Sequence, residues 1–372
     1  MTDADFPGRR LRVAVLMGGT SAERDVSLST GRQILDALDP EKYEVSAIDT
    51  RDIVALPGHG SAPFLAAVER SLEPDETGVD AYGQEEPDSA LVPAERPNPP
   101  VHVRGERPDV VFIALHGKGG EDGSIQGTLE LLGLPYTGSG VLASALAMNK
   151  AMSKRLFRAE GIPTIPEIQA RRGECRSEAE LFRQVAAQLG GFPVFVKPNA
   201  EGSTFGCTLV KTPDQLADAL ALALRYDETA LIETYVRGME ITVGVLETLD
   251  DPPGLQALPV IEIVPQGEYY DYESKYAEGG SEHIIPARLP DALRRRAQEI
   301  ALRCHQILGC RGMSRTDLIV AGDRMFVLEV NTIPGMTPTS LLPQAAEHAG
   351  IAFSALLDRL IACALNREEP TR

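Results

Sequence analysis

The stretch "RTDLIVAGDRMFVLEVN", residues 315–331, decides the fold. Two apolar runs flank Gly-Asp, the pattern of a β-hairpin. With the turn centred on Asp323, Asp317 faces Glu329 and Arg315 faces Asn331. Strand alternation then puts all four side chains on one face. Two carboxylates, an amide and a guanidinium are costly to bury without partners. A divalent cation with oxygen ligands, Mg2+ or Mn2+, would satisfy them together with phosphate oxygens. On spacing alone, a half-exposed salt-bridge ladder accounts for them equally well. Immediately afterwards "TIPGMTPTSLLP", 332–343, breaks into a loop of small hydroxyl residues.

Upstream of this hairpin the second half reads as a two-part α+β body. "FPVFVKPNAEGSTFGCTLVK" (192–211) is two β-like runs around a Gly-rich loop. "DQLADALALALRY" is an amphipathic helix, "ALIETYVRGMEITVGVL" (230–246) is strand, short break, strand, and "LRRRAQEIALRCHQIL" (293–308) is a helix. "VLASALAMNKAMSKRLFRAEGI", from 141, reads as one helical stretch, and a last helix covers about 351–365. The first half alternates differently. "LRVAVLMGG" (11–19), "YEVSAID" (43–49) and "PDVVFIALHG" (108–117) read as buried parallel strands with helices between them, an α/β sheet. Residues about 52–107 are rich in Pro, Glu, Asp and Gly and read as a surface insertion, partly disordered.

Composition removes several classes. The 372 residues suit two or three domains. A net charge of −18 argues against a nucleic-acid or anionic-membrane surface. The N-terminus lacks the apolar core of a signal peptide, and no run approaches a membrane span. Five scattered cysteines without a CxxC pair read as reduced packing residues of a cytoplasmic protein.

The loop "KPNAEGSTFG" (197–206) suits phosphate, because small residues let backbone N–H groups approach its oxygens. Lys197 leaves the preceding strand toward it, and Lys150 is a second candidate cation. Glu233 and Glu240 are acids at strand ends beside a segment able to read an adenine edge and ribose hydroxyls. Singly, each of these residues is also what an ordinary loop, helix or strand end would carry. GxxxxGK[ST] is absent, so the loop is not a Walker A motif, and the absence of GxGxxG counts against a dinucleotide-binding dehydrogenase.

"GGTSAERDVS" (18–27), "HGKGGEDGSIQGTLELLGLPYTGSG" (116–140), "SRTDLIV…FVLEVNTIPGMTPTSLLP" (314–343) and "YDYESKY" (270–276) occur in this order. Together they resemble the D-alanine–D-alanine ligases of the ATP-grasp superfamily, over the whole chain outside the insertion. The resemblance implies an N-terminal Rossmann-like α/β substrate domain (1–145), a central ATP-grasp lobe (146–235) and a C-terminal ATP-grasp lobe (236–372). It implies ATP-dependent joining of two D-alanines through D-alanyl phosphate, two Mg2+ or Mn2+ ions, and a cytoplasmic homodimer serving peptidoglycan synthesis.

Residue by residue, the resemblance gives Asp317, Glu329 and Asn331 as metal ligands, with Lys150 and Lys197 as nucleotide-binding lysines. Glu233, Tyr235 and Val236 match the adenine-edge strand, and Glu240 the ribose acid. Arg315 matches the residue that stabilises the tetrahedral intermediate. Glu23 matches the acid for the first substrate's ammonium, with His116 beside the substrate. Gly335, Ser340 and Leu341 match the pocket for the second D-alanine. Tyr276 and Lys275 match a closing loop, reaching Ser203 and Glu23, and the transferring phosphate. Thr316 departs from the family's usual aliphatic residue and implies only a packing change. Relatives using D-lactate or D-serine, ligases of other amino acids, and a nucleotide-binding regulator without turnover are the rival readings. The retained Arg315 and Ser340 count against the last.

Overall fold

The structure, a computed structural model, describes residues 9–51, 107–174, 177–250, 253–265, 281–337 and 339–366. The expected insertion, apart from Arg107, and the loop carrying Lys275 and Tyr276 lie outside these residues.

Strands β1 (Leu11–Met17), β2 (Tyr43–Asp49) and β3 (Val110–Ile113) form a parallel sheet in the order β2-β1-β3, with α1 (Arg24–Ala37) crossing between the first two. A parallel bridge from Val111 to Tyr136 extends this sheet. α2 (Ser124–Leu131), α3 (Val141–Met148) and α4 (Lys150–Ala159) follow. The single helix expected here is two helices. Asn149 is extended (φ −86°, ψ 91°), and its side chain accepts the Met152 N–H to cap α4.

A second sheet holds β4 (Glu167–Arg171), β5 (Val194–Pro198), β6 (Thr208–Val210) and β7 (Thr229–Thr234) in the antiparallel order β4-β7-β5-β6. It is backed by α5 (Glu178–Gln184) and α6 (Leu216–Tyr226). Alternation assigns its faces. Val194, Val196, Ala230 and Ile232 enter the core against α6. Phe195, Lys197, Leu231 and Glu233 therefore take the other face.

The third sheet contains β8 (Met239–Thr248), β9 (Gly254–Ala257), β10 (Ile261–Pro265), β11 (Ser281–Ile284), β12 (Met313–Ala321) and β13 (Arg324–Asn331). Its order is β11-β10-β8-β12-β13, with β9 paired to β8. α7 (Asp291–Leu308) covers its back, and α8 (Leu341–His348) and α9 (Phe353–Leu365) end the described chain. The β12–β13 pairing differs from the expected register near the turn. The turn is two residues, Gly322 and Asp323, so Ala321 faces Arg324 and Leu318 faces Val327. An irregularity between Asp317 and Leu318 then shifts the pairing by one, restoring Asp317 opposite Glu329 and Arg315 opposite Asn331. The extra residue, Leu328, is a β-bulge. Val327 and Val330, three apart, are both buried in the core behind the sheet, as the bulge requires.

Packing does not follow the expected lobe boundaries. α3 and α4 contribute Ala147 and Phe157 to the core of the third sheet, not the second. α8 and α9 pack into the core of the first sheet through Leu342, Leu356 and Leu360. The Tyr43 hydroxyl and Lys42 Nζ both bond Asp358 of α9 at 2.7 Å. Residue 146 lies inside α3, and which core a helix joins depends on distant partners rather than on local sequence.

Candidate functional site

The cleft faces of the second and third sheets look at each other across a cavity of about 410 Å³. A smaller cavity of about 80 Å³ lies between the third sheet and the loops of the first. The two share Gly202, Ser203 and Glu329. The larger brings together Lys150, Lys197, Glu233, Tyr235, Val236, Glu240 and Asp317. The smaller collects Glu23, His116, Arg315, Asn331, Gly335, Ser340 and Leu341. Lys275 and Tyr276 lie outside the described residues.

At the wall of the larger cavity, Lys197 Nζ and Lys154 Nζ each hold one oxygen of Glu233, at 2.9 and 2.5 Å. Burial acts to raise the Glu233 carboxyl, but the two ammonium groups outweigh it and hold it below its usual range. Burial likewise works against a charged Lys197, yet Glu233 and Glu329 keep its pKa above the ordinary value. Lys150 opens α4 and reaches across to Glu329 at 3.0 Å, while donating to the Glu201 carbonyl at 2.6 Å. Between these lysines the loop 201–206 carries positive φ at Ser203 (49°) and Thr204 (61°), left-handed backbone of the kind found in anion-binding nests. Cys207 follows this loop and lines the larger cavity, so it is not the plain packing residue expected.

Arg315 forks Asp317 through two bonds of 2.9 Å. Thr242 and Asn331 donate to the same carboxylate at 2.6 and 3.2 Å. Asp317 and Glu329, facing each other across β12 and β13, offer hard oxygen donors, and Asn331 adds an amide oxygen. Among the described residues no group of three or more His, Cys, Asp and Glu side chains is built to hold a metal ion. Two carboxylates and an amide leave coordination positions for phosphate oxygens, which is how Mg2+ is commonly held. The donor set therefore fits Mg2+ or Mn2+.

In the smaller cavity the Glu23 carboxylate accepts a hydrogen bond from Ser203 Oγ. A Cβ on Gly117 or on Gly202 would come within 2.7 Å of Glu23 Oε2, so the Glu23 carboxylate would have to shift to admit one. His116 bonds Thr30 Oγ1 through Nε2 at 3.1 Å. Burial, then Arg315, pushes its pKa down to about 4, so its imidazole is neutral at pH 7. Ser340 precedes α8 without capping it; instead its hydroxyl accepts the Thr337 N–H at 3.0 Å. The first N–H groups of α8 thus remain available to an anion. Gly335 packs against this hydroxyl, 2.7 Å from where its own Cβ would be.

Three residues escaped sequence reasoning. Glu121 lines the smaller cavity and accepts the Gly117 N–H at 2.8 Å. Burial, then Glu23, pushes its pKa up to about 8. It lay inside the quoted glycine motif, which was its only signal. Lys118 pairs with Glu201 at 2.5 Å, tying the first sheet's loop to the Gly-rich loop. Lys154 is buried behind Glu233, and nothing in its helical context distinguishes it from a surface lysine.

Two facing sheets, a lysine-lined nucleotide-sized cleft and paired carboxylates on a hairpin define an ATP-grasp fold. Family models for the D-ala D-ala ligase N-terminus and C-terminus match residues 12–139 and 156–362. The D-alanine–D-alanine ligase of Syntrophobacter fumaroxidans is 46% identical over 96% of this chain and 98% of its own. That of Trichlorobacter lovleyi is 43% identical over 95% of both. The Bacillus anthracis D-alanine–D-alanine ligase complexed with ATP superposes with a TM-score of 0.69 at 32% identity, covering 95% of this chain and 97% of that one. The Coxiella burnetii enzyme gives 0.73 at 29%, covering 97% and 95%. The chain belongs to the D-alanine–D-alanine ligase family.

Proposed function

We infer that this chain joins two D-alanines to D-alanyl-D-alanine, consuming ATP and releasing ADP and phosphate, for peptidoglycan precursors. The observation that carries this reading is the shared border of the two cavities at Gly202, Ser203 and Glu329. A γ-phosphate at the end of the larger cavity abuts a carboxylate in the smaller one.

Joining a carboxylate to an ammonium is uphill in water, so the carboxylate needs a better leaving group. A carboxylate oxygen of the first D-alanine attacks the γ-phosphorus while the bond to the β-phosphate oxygen breaks. The amine of the second then adds to the acyl carbon, loses a proton, and phosphate leaves. Phosphoryl transfer chiefly requires alignment and charge neutralisation. We assign Lys150 and Lys197 to the phosphates, Glu233–Val236 to the adenine edge and Glu240 to the ribose. Glu23 holds the first ammonium, with His116 beside it as a neutral imidazole. Arg315, with its charge beside the smaller cavity, stabilises the oxyanion of the tetrahedral adduct. Gly335, Ser340, Leu341 and the start of α8 seat the second carboxylate. Asp317, Glu329 and Asn331 hold Mg2+ or Mn2+, which neutralises phosphate charge when bound. We assign Lys275 and Tyr276 to closure over the site.

We divide the chain into the substrate domain and two ATP-grasp lobes set out above, with α3 and α4 packed on the C-terminal lobe. The protein acts in the cytoplasm as a homodimer. Leu131 and Leu142, 81% and 71% exposed on α2 and α3, supply apolar surface for association. Sedimentation showing a monomer at all concentrations would exclude the dimer. No single helix among the described residues is long and apolar enough to cross a membrane.

The deciding experiment follows ADP release with Mg2+ and D-alanine alone, beside L-alanine, D-alanine plus D-lactate, and D-alanine plus D-serine. Products are identified by mass. D-alanyl-D-alanine from D-alanine alone is the expected result. Turnover only with another pair overturns the substrate assignment.

A further inference from the structure

A file of alternating charges runs behind the larger cavity. Arg158 forks Glu167 at 2.8 and 2.9 Å. Lys154 Nζ reaches Glu167 at 3.2 Å and one oxygen of Glu233 at 2.5 Å. Lys197 takes the other Glu233 oxygen at 2.9 Å. The Lys154 side chain is 1% exposed, and those of the two glutamates 4% and 3%. Lysine is among the residues least often buried, and burying one costs several kcal/mol unless it is well paired. Arg158, 41% exposed, faces solvent at one end, while Lys197 faces the cavity at the other. Lys154 lines neither cavity, so it touches no bound nucleotide.

We propose that Lys154 is a positioning residue for ATP: by sharing Glu233, it leaves Lys197 with positive charge to offer the phosphates. The proposal rests on the ATP reading above. Without Lys154, Glu233 becomes the undivided counter-ion of Lys197 at 2.9 Å. A triphosphate entering the cleft then meets a neutral pair, with the second carboxylate oxygen of Glu233 left unpaired behind it. With Lys154 in place, the trio of Lys154, Glu233 and Lys197 carries one net positive charge, and only the Lys197 end can present it to a ligand. Low-dielectric surroundings make that single charge matter. The neutral part of the nucleotide has no stake in it.

The test is calorimetric titration of the full-length protein with Mg·ATP and, separately, with adenosine. Lys154→Met keeps the length of the side chain and removes its charge. It is expected to weaken Mg·ATP by roughly ten- to a hundredfold, the scale of one charge acting at several ångströms in partly shielded surroundings, and to leave adenosine within about twofold. Lys154→Arg keeps the charge and is expected to hold Mg·ATP within about threefold of wild type. Equal weakening of ATP and adenosine, or a Lys154→Arg variant as weak as Lys154→Met, overturns the proposal in favour of a purely structural lysine. Unchanged ATP binding in Lys154→Met overturns it as well. A wild-type protein that binds no ATP would instead sink the functional reading on which the proposal stands.

Discussion

Glu121 and Glu23 crowd one wall of the smaller cavity, and their repulsion adds to burial in keeping a proton on Glu121 up to about pH 8. The ordinary value for this group is 4.5. Between those values the folded chain binds more protons than the unfolded one, so Glu121 lowers stability as pH rises across that window. Glu121→Gln mimics the protonated form. The melting temperature of the ligand-free variant is therefore expected to gain on wild type steadily from about pH 5 to 8. His116 works in the opposite sense between about 4 and 6.5 but is common to both proteins and cancels from the difference. Parallel melting curves against pH would refute a proton on Glu121. Arg315 offers a second residue-scale prediction. Arg315→Ala should cost about 3–4 kcal/mol in dipeptide formation, the usual loss on removing one oxyanion donor. ADP release should fall less, because acyl phosphate that forms without its oxyanion partner is lost to water. Equal losses in both products would move Arg315 out of the second step.

At the scale of the element, the β13 bulge reconciles the short turn with a cleft face that carries Asp317, Glu329 and Asn331. The two-residue turn at Gly322–Asp323 alone would set Glu329 on the core face. Leu328, inserted between, turns Glu329 and Asn331 back toward the cleft while leaving Val330 in the core. Deleting Leu328 should close the bulge into a regular ladder that still sets Glu329 opposite Asp317, so turnover should survive the deletion. A deletion variant without turnover would show that the bulge itself, and not only the register it restores, is needed. The expected pairing of Asp317 with Glu329 was thus reached from the sequence with the turn centred one half-step late. Bulge and turn compensate, and neither leaves a residue pattern that separates them. Asn149 is similar: its extended backbone ends one helix and its side chain caps the next, yet the apolar spacing runs on through it. By contrast, the alternation of "VFVK" and "LIET" was legible because every second residue enters the same core.

For the whole molecule, β1–β3, β5–β8, β12 and β13 were readable as sequence patterns, whereas β4, β9–β11 and the assembly of the sheets were not. Asp358 bonds residues 42 and 43 from more than 300 positions away. No local pattern carries such a contact. Lys118 and Glu201 form a comparable tie between the first sheet's loop and the Gly-rich loop of the second. Exposed pairs contribute little to stability, so Lys118→Ala should shift the melting temperature by no more than a degree or two. It should nevertheless raise the KM for D-alanine and for ATP together, about two- to fivefold, because one loop borders both cavities. A rise confined to one substrate would argue against a shared closure.

The segment 235–238 between β7 and β8 is both the link from one sheet to the next and a wall of the larger cavity. A page cannot be turned while something is pressed into the spine of the book. Departure of spent nucleotide and parting of the sheets then form a single diffusive event. An enzyme so built would find its ceiling in solvent friction, and added glycerol or sucrose would slow its saturated turnover in proportion to viscosity.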